Sequence, residues 1–121
     1  MSKLKLKLAA AAVAVAALAA VLTPLALAHS HAATVTTVSV TAKEFSFKLS
    51  KKTVPHGKVT FKVANKGHIS HDFKIGGKKT PLIKPGKSAT LKVTLKKGKQ
   101  KYLCTVPGHA ASGMKGTLKV T

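Results

Sequence analysis

From Ala33 onward, apolar and polar residues alternate with a period of two, the pattern of strands that bury one face. Val38 with Val40, Phe45 with Phe47 and Leu49, Val59 with Phe61 and Val63, Phe73 with Ile75, Leu91 with Val93 and Leu95, and Leu118 with Val120 all hold alternate positions. The partners between them are mostly Lys and Thr, as in Thr90-Leu91-Lys92-Val93-Thr94-Leu95-Lys96, which suits a sheet with one wet face. Turn signals separate the runs: Val54-Pro55-His56-Gly57, Asn65-Lys66-Gly67, Gly76-Gly77, Lys84-Pro85-Gly86-Lys87, Lys96-Lys97-Gly98-Lys99 and Pro107-Gly108. About seven to eight short strands at this spacing predict an all-β fold, an antiparallel sandwich of two sheets. Beyond residue 28 the only helical expectation is a short turn within His109 to Met114, and no repeat longer than a strand is visible.

The first 28 residues follow a different pattern. Lys3, Lys5 and Lys7 precede an apolar run from Leu8 to Leu22, and Ala26-Leu27-Ala28 offers a small-x-small cleavage site. This is the layout of a secretory signal peptide. An uncleaved anchor is the alternative, because Leu8 to Ala28 approaches the ~20 residues that span a bilayer. Residues 29–33 read as a flexible linker and 34–121 as one folded domain, since a single core takes about 100–150 residues. An exported protein is expected: periplasmic, extracellular or at the cell surface.

Removing 1–28 leaves 19 lysines and two acids, Glu44 and Asp72, for a formal charge of +17. Such a charge concerns solubility and partners rather than fold. Every basic side chain is Lys and none is Arg, which removes the fork that reads guanine edges. The aromatic residues Phe45, Phe47, Phe61, Phe73 and Tyr102 sit in core-like settings, leaving no stacking platform. Specific nucleic-acid binding is therefore not expected, although salt-sensitive contact with anionic surfaces is.

The chain has one cysteine. Exported proteins usually pair their cysteines, so Cys104 is an inert buried thiol, an intermolecular link or a ligand. Its surroundings favour the last, for Cys104-x4-His109-x4-Met114 runs through two loops turned by Pro107-Gly108 and loosened by Gly113. Thiolate, imidazole and thioether are the donors of a blue-copper site, which needs one further His. His71, in Ser70-His71-Asp72-Phe73, stands where the next apolar alternation begins. His68 is the fallback, and on a strand positions 68 and 71 would face opposite sides. Zinc is the competing ion, but structural zinc sites rarely use a thioether and usually hold two or more thiolates. His29-Ser30-His31 is a second candidate: cleavage after Ala28 would expose a free amine with His at the third position, a square-planar nitrogen set for Cu(II).

These residues resemble the cupredoxin family, whose small members include plastocyanins, azurins and rusticyanin-like proteins, over most of residues 34–121. In the family the upstream His commonly opens a strand and is followed by Asn or Asp, while the other three ligands occupy the loop before the last strand. Asn65-x5-His71-Asp72 and the loop from Cys104 to Met114 match that plan, and the four-and-four spacing looks most like the rusticyanin type. The resemblance implies a Greek-key sandwich and one type 1 copper, cycling between Cu(I) and Cu(II), on His71, Cys104, His109 and Met114. It also implies that the ring edge of His109 reaches the surface, within a small patch of Pro107, Ala110 and Ala111.

The expected function is single-electron transfer, with a copper carrier using the same ligands as the alternative. A secreted basic protein with an inert Cys104 is a third reading. No enzyme is expected, because the chain holds two carboxylates and its coordination sphere is filled. Asp72 or its backbone and the Thr105 amide are placed to hydrogen-bond around the Cys104 sulfur or to pin the loops. The lysines should steer an acidic redox protein or membrane-bound electron-transfer complex into a transient encounter, or hold the monomeric protein at an anionic membrane or cell wall.

Overall fold

A computed structural model describes residues 34–121, which form nine strands in two sheets. The proposed leader or anchor at 1–28, the linker at 29–33 and the His29/His31 site lie outside the described residues.

The first sheet has four strands in the order β2-β1-β4-β7 and the second has five in the order β3-β9-β8-β5-β6. In the first, β1 (Thr36–Lys43) lies between β2 (Ser46–Leu49) and β4 (Gly57–Asn65), and β7 (Ser88–Leu95) closes the edge beside β4. In the second, β9 (Lys115–Val120) and β8 (Gly98–Leu103) form a central antiparallel pair. They are flanked by β3 (Thr53–Val54) and by the short hairpin of β5 (Lys74–Ile75) and β6 (Lys78–Lys79). Most pairings are antiparallel as expected, but β1 runs parallel to β4 and β3 parallel to β9. Both parallel pairs arise because the chain changes sheets between β2 and β3 and again between β3 and β4, returning beside β1 in the same direction.

The period-two pattern sorts its residues as anticipated. Val38, Val40 and Ala42 of β1, Val59, Phe61 and Val63 of β4, and Leu91, Val93 and Leu95 of β7 face Ile75, Leu118 and Val120 across one core. Aromatic rings fill its centre: Phe73 lies 5.2 Å from both Phe47 and Phe61 and 5.6 Å from Tyr102, measured between ring centroids. Such pairs add to the burial of their apolar area. Phe45 departs from the alternation. It sits ahead of β2 in the turn from β1, is 39% exposed, and is not a core residue.

Gly76 and Gly77 join β5 to β6 with φ of 60° and 79°, the left-handed pair of a tight two-residue hairpin. A side chain at Gly76 would also collide with Leu95 and Val93 of the opposite sheet, at 2.7 and 2.9 Å. The residues from His109 to Met114 form hydrogen-bonded turns without becoming a helix.

Because Phe61 is fully buried at the contact of the two sheets, Phe61→Ala is expected to cost about 3–5 kcal/mol, measured by denaturant unfolding. Val35→Ala, at a residue 52% exposed, should stay within about 0.5 kcal/mol.

Candidate metal centre

The central strands of the second sheet end together at the pair Leu103 and Lys115. Cys104 follows β8 directly, and Met114 immediately precedes β9. The Cys104 amide donates to the Met114 carbonyl (3.0 Å), so the strands pinch shut below the loop that carries His109. Within that loop the His109 amide donates to Val106 and the Met114 amide donates to His109, both at 3.1 Å. Pro107-Gly108 and Gly113 supply the bends foreseen from the sequence.

His71 reaches the same point from the first sheet. Asn65, at the end of β4, is buried, and its side-chain amide donates to the carbonyls of Ile69 and Ile83, each at 2.8 Å. Its carbonyl oxygen accepts the Gly67 amide at 2.9 Å. These bonds fold residues 66–70 into a closed loop rather than a strand extension. His71 then exchanges backbone hydrogen bonds with Ile83 (3.1 and 2.7 Å). His68, the fallback ligand, is exposed, and of the two it is His71, fully buried, that the fold turns inward.

The result is a cluster of His71, Cys104 and His109 whose donor atoms all lie within 4.8 Å of one another. Nδ1 of His71 is 3.1 Å from Nδ1 of His109, which is 3.5 Å from Sγ of Cys104. An ion with bonds of about 2.0–2.3 Å reaches all three after small shifts. The donors are two imidazole nitrogens and one sulfur, a set suited to copper or zinc rather than to magnesium or calcium. Met114 is fully buried at the base of the same loop.

Around this cluster the remaining bonds fix orientation. Nε2 of His71 donates to Glu44 at 2.9 Å, which leaves the Nδ1 lone pair for the cluster. Glu44 also accepts the amides of His68 (2.8 Å) and Ile69 (3.0 Å). Burial by itself would raise the Glu44 carboxyl, but the hydrogen bonds from Ile69, His68 and His71, together with its own backbone amide, outweigh it and hold it at about 2. Asp72 acts on the other side, as expected. Its amide points at Sγ of Cys104 at 3.5 Å, while its carboxylate accepts both the amide (2.5 Å) and the hydroxyl of Thr105. Burial pushes the Cys104 thiol up, opposed in part by the amides of Asp72 and Val106. A cation that takes the sulfur as thiolate must therefore displace a proton.

Glu44 is the residue that sequence reading missed. It lies 27 positions from His71, and the available hint was its rarity, one of two acids in the chain. Phe45, whose alternation with Phe47 and Leu49 places it in the core by sequence, instead packs edge-on against His109, with centroids 5.1 Å apart. His109 keeps 8% of its surface exposed whereas His71 keeps none, so of the two histidines His109 lies nearer the solvent.

A family model described as a cupredoxin-like domain matches residues 11–120. Among solved structures, a dithionite-reduced auracyanin from the photosynthetic bacterium Roseiflexus castenholzii is similar, with 27% identity, a TM-score of 0.63, and coverage of 71% of this chain and 97% of that one. Auracyanin A, described as a "blue" copper protein from Chloroflexus aurantiacus, aligns at 20% identity and a TM-score of 0.60, covering 72% and 99%. An azurin from Methylomonas sp. strain J aligns at 20% identity and a TM-score of 0.58, covering 71% and 98%. The last two show likeness of fold. No protein of curated function matches the sequence.

Removing the Glu44 carboxylate frees the far nitrogen of His71 and the loop before it. Glu44→Ala is expected to weaken metal binding about 10–100-fold, read by competitive titration against a chelator, while the fold persists by circular dichroism.

Proposed function

The chain belongs to the cupredoxin-like domain family, and we propose that it is an exported electron carrier holding one copper ion through His71, Cys104, His109 and Met114. The observation that carries this reading is the buried convergence of two Nδ1 atoms and one Sγ at one end of the sandwich. Bound there, copper would supply a one-electron couple between Cu(I) and Cu(II).

The protein's part is to hold its ligands still. His71 is gripped at Nε2 by Glu44 and along its backbone by Ile83. Cys104 is tied through its amide to Met114 and through its sulfur to the Asp72 amide. A hydrogen bond on that sulfur draws charge from it and tunes the site. The fully buried thioether of Met114 is the proposed fourth, weak donor, and it favours copper over zinc. Exchangeable delivery of copper is the rival reading. The near-complete burial of His71 (0%) and Cys104 (1%) weighs against it, since a carrier must open its site to hand the ion on.

Electrons would pass through the His109 edge. Three of the exposed large apolar side chains belong to segments tied to the site: Phe45 against His109, Ile69 bonded to Glu44, and Leu82 beside the Ile83 that pairs with His71. With exposed Pro107 and Ala111 and half-buried Ala110 they offer a small surface for a transient complex of a monomeric carrier. The surrounding lysines would steer an acidic redox protein or membrane-bound complex toward it, more weakly as salt rises. Export rests on the leader pattern of residues 1–28.

Addition of Cu(II) to the metal-free protein is expected to produce intense visible absorption at one copper per chain, bleached by a mild reductant and restored by an oxidant. Cys104→Ser should abolish the band, and Met114→Leu should keep it while shifting the potential. A colourless loaded protein, or colour that survives Cys104→Ser, would rule out the thiolate site.

A further inference from the structure

The two outer faces of the sandwich carry their lysines in opposite ways. On the four-stranded sheet every strand lysine lies across from a hydroxyl: Lys43 from Ser46, Lys48 from Thr41, Lys58 from Thr94, Lys62 from Thr90, and Lys92 from Thr60. That arrangement keeps like charges apart and is an ordinary solvated surface. On the five-stranded sheet two pairs of lysines are directly opposed, Lys99 with Lys119 and Lys74 with Lys79. Lys115 and Lys74 flank the half-buried Leu103 in a single row, with Lys101 beside them on β8. All six lysines of this face are exposed.

Like charges placed directly across a ladder destabilise a sheet, and side-chain carboxylates to neutralise them are lacking. The chain has two acids, and both Glu44 and Asp72 are engaged at the metal centre. Apart from screening by solvent and salt, the repulsion is left for an external anion to relieve, and an array with neighbouring strands about 4.8 Å apart favours a surface of closely spaced charges. The face has Leu103 as its one large apolar position and no aromatic or Arg side chain. Protein interfaces are built around apolar and aromatic centres and are depleted of Lys, and without Arg forks or stacking rings to read or stack on bases a nucleic acid would have only its phosphate charge to hold it here. A cluster of about 4–8 basic side chains without an apolar wedge is the pattern that adsorbs to anionic lipid headgroups.

We propose that the outer face of the five-stranded sheet lies flat on an anionic lipid bilayer through Lys74, Lys79, Lys99, Lys101, Lys115 and Lys119. The inference narrows the anionic-surface reading to one face and one occupant, and stands on lysine placement independently of copper. In this pose the strands run along the membrane. The metal centre, at the strand ends beside Leu103 and Lys115, faces along the surface, where a membrane-held partner meets it.

The test is lysine acetylation of the full chain, read residue by residue by mass spectrometry, on vesicles containing about one-third phosphatidylglycerol and on vesicles of phosphatidylcholine alone. Recruitment through the N-terminal run and its Lys3, Lys5 and Lys7 brings both faces to the vesicle alike, so the contrast between the two faces within each sample reports the docked face. Lys74, Lys79, Lys99, Lys101, Lys115 and Lys119 are expected to react several-fold more slowly on the anionic vesicles, and Lys58, Lys62 and Lys92 at unchanged rates; high salt should erase the difference. Equal protection of both faces, protection of neither, or stronger protection by duplex DNA at the same phosphate concentration would overturn the proposal. Lys99→Glu supplies an independent arm. It should raise the thermal midpoint by removing the clash with Lys119, and it should weaken anionic-vesicle binding several-fold; unchanged binding contradicts the proposed face.

Discussion

One oxygen of Glu44 accepts from three donors, the amides of His68 and Ile69 and the Nε2 of His71, and the candidate site depends on that convergence. It ties the β1–β2 turn to the loop after β4 and turns the other nitrogen of His71 toward His109 and Cys104. The Asp72 carboxylate does the same on the opposite side, tying the strand that follows His71 to Thr105. A chain with 22 lysines and two acids thus places both carboxylates where they bridge separate loops. Hydrogen bonds to charged acceptors are the stronger kind, and few others are available here.

The sandwich supplies what those bridges act against. Two sheets closed over Phe61, Phe73 and Leu118 fix the ends of β4, β8 and β9, from which all four proposed ligands depart within a few residues. Interiors at crystal-like density deform little, so ligands set at the ends of such strands inherit that stiffness. A site required to serve a small and a larger oxidation state with the same ligands benefits from an environment that resists rearrangement. Asn65 extends the stiffness into the loop between sheets by closing it with three hydrogen bonds of its own.

Much of this was legible in the sequence because it is local. The alternation through β1, β4 and β7 stated which side chains face inward, and Cys104-x4-His109-x4-Met114 lies on one loop whose spacing alone carries its chemistry. His71 was distinguished from His68 by its position just ahead of Phe73 and Ile75, although the strand geometry invoked for that choice gave way to a closed loop. What stayed hidden is non-local. The parallel course of β1 and β4 depends on the chain leaving for β3 and coming back, which a period of two does not encode. Phe45 continues the alternation of Phe47 and Leu49 but stands before β2 begins, where the turn carries it to His109. The inner positions of β8 include Gly98 and Gln100, so that strand shows little apolar rhythm although it delivers Cys104. Glu44 acts across 27 residues and has no motif at all.

The central claim is that the fold presents one thiolate and two imidazoles to a single copper with little movement. X-ray absorption at the copper edge, recorded on the loaded protein in its oxidised and reduced forms, measures this most directly. One short sulfur and two nitrogen neighbours, at nearly the same distances in both forms, are the predicted result. Two or more sulfur neighbours, a sphere of nitrogen and oxygen alone, or a change in the number of ligands on reduction would contradict it.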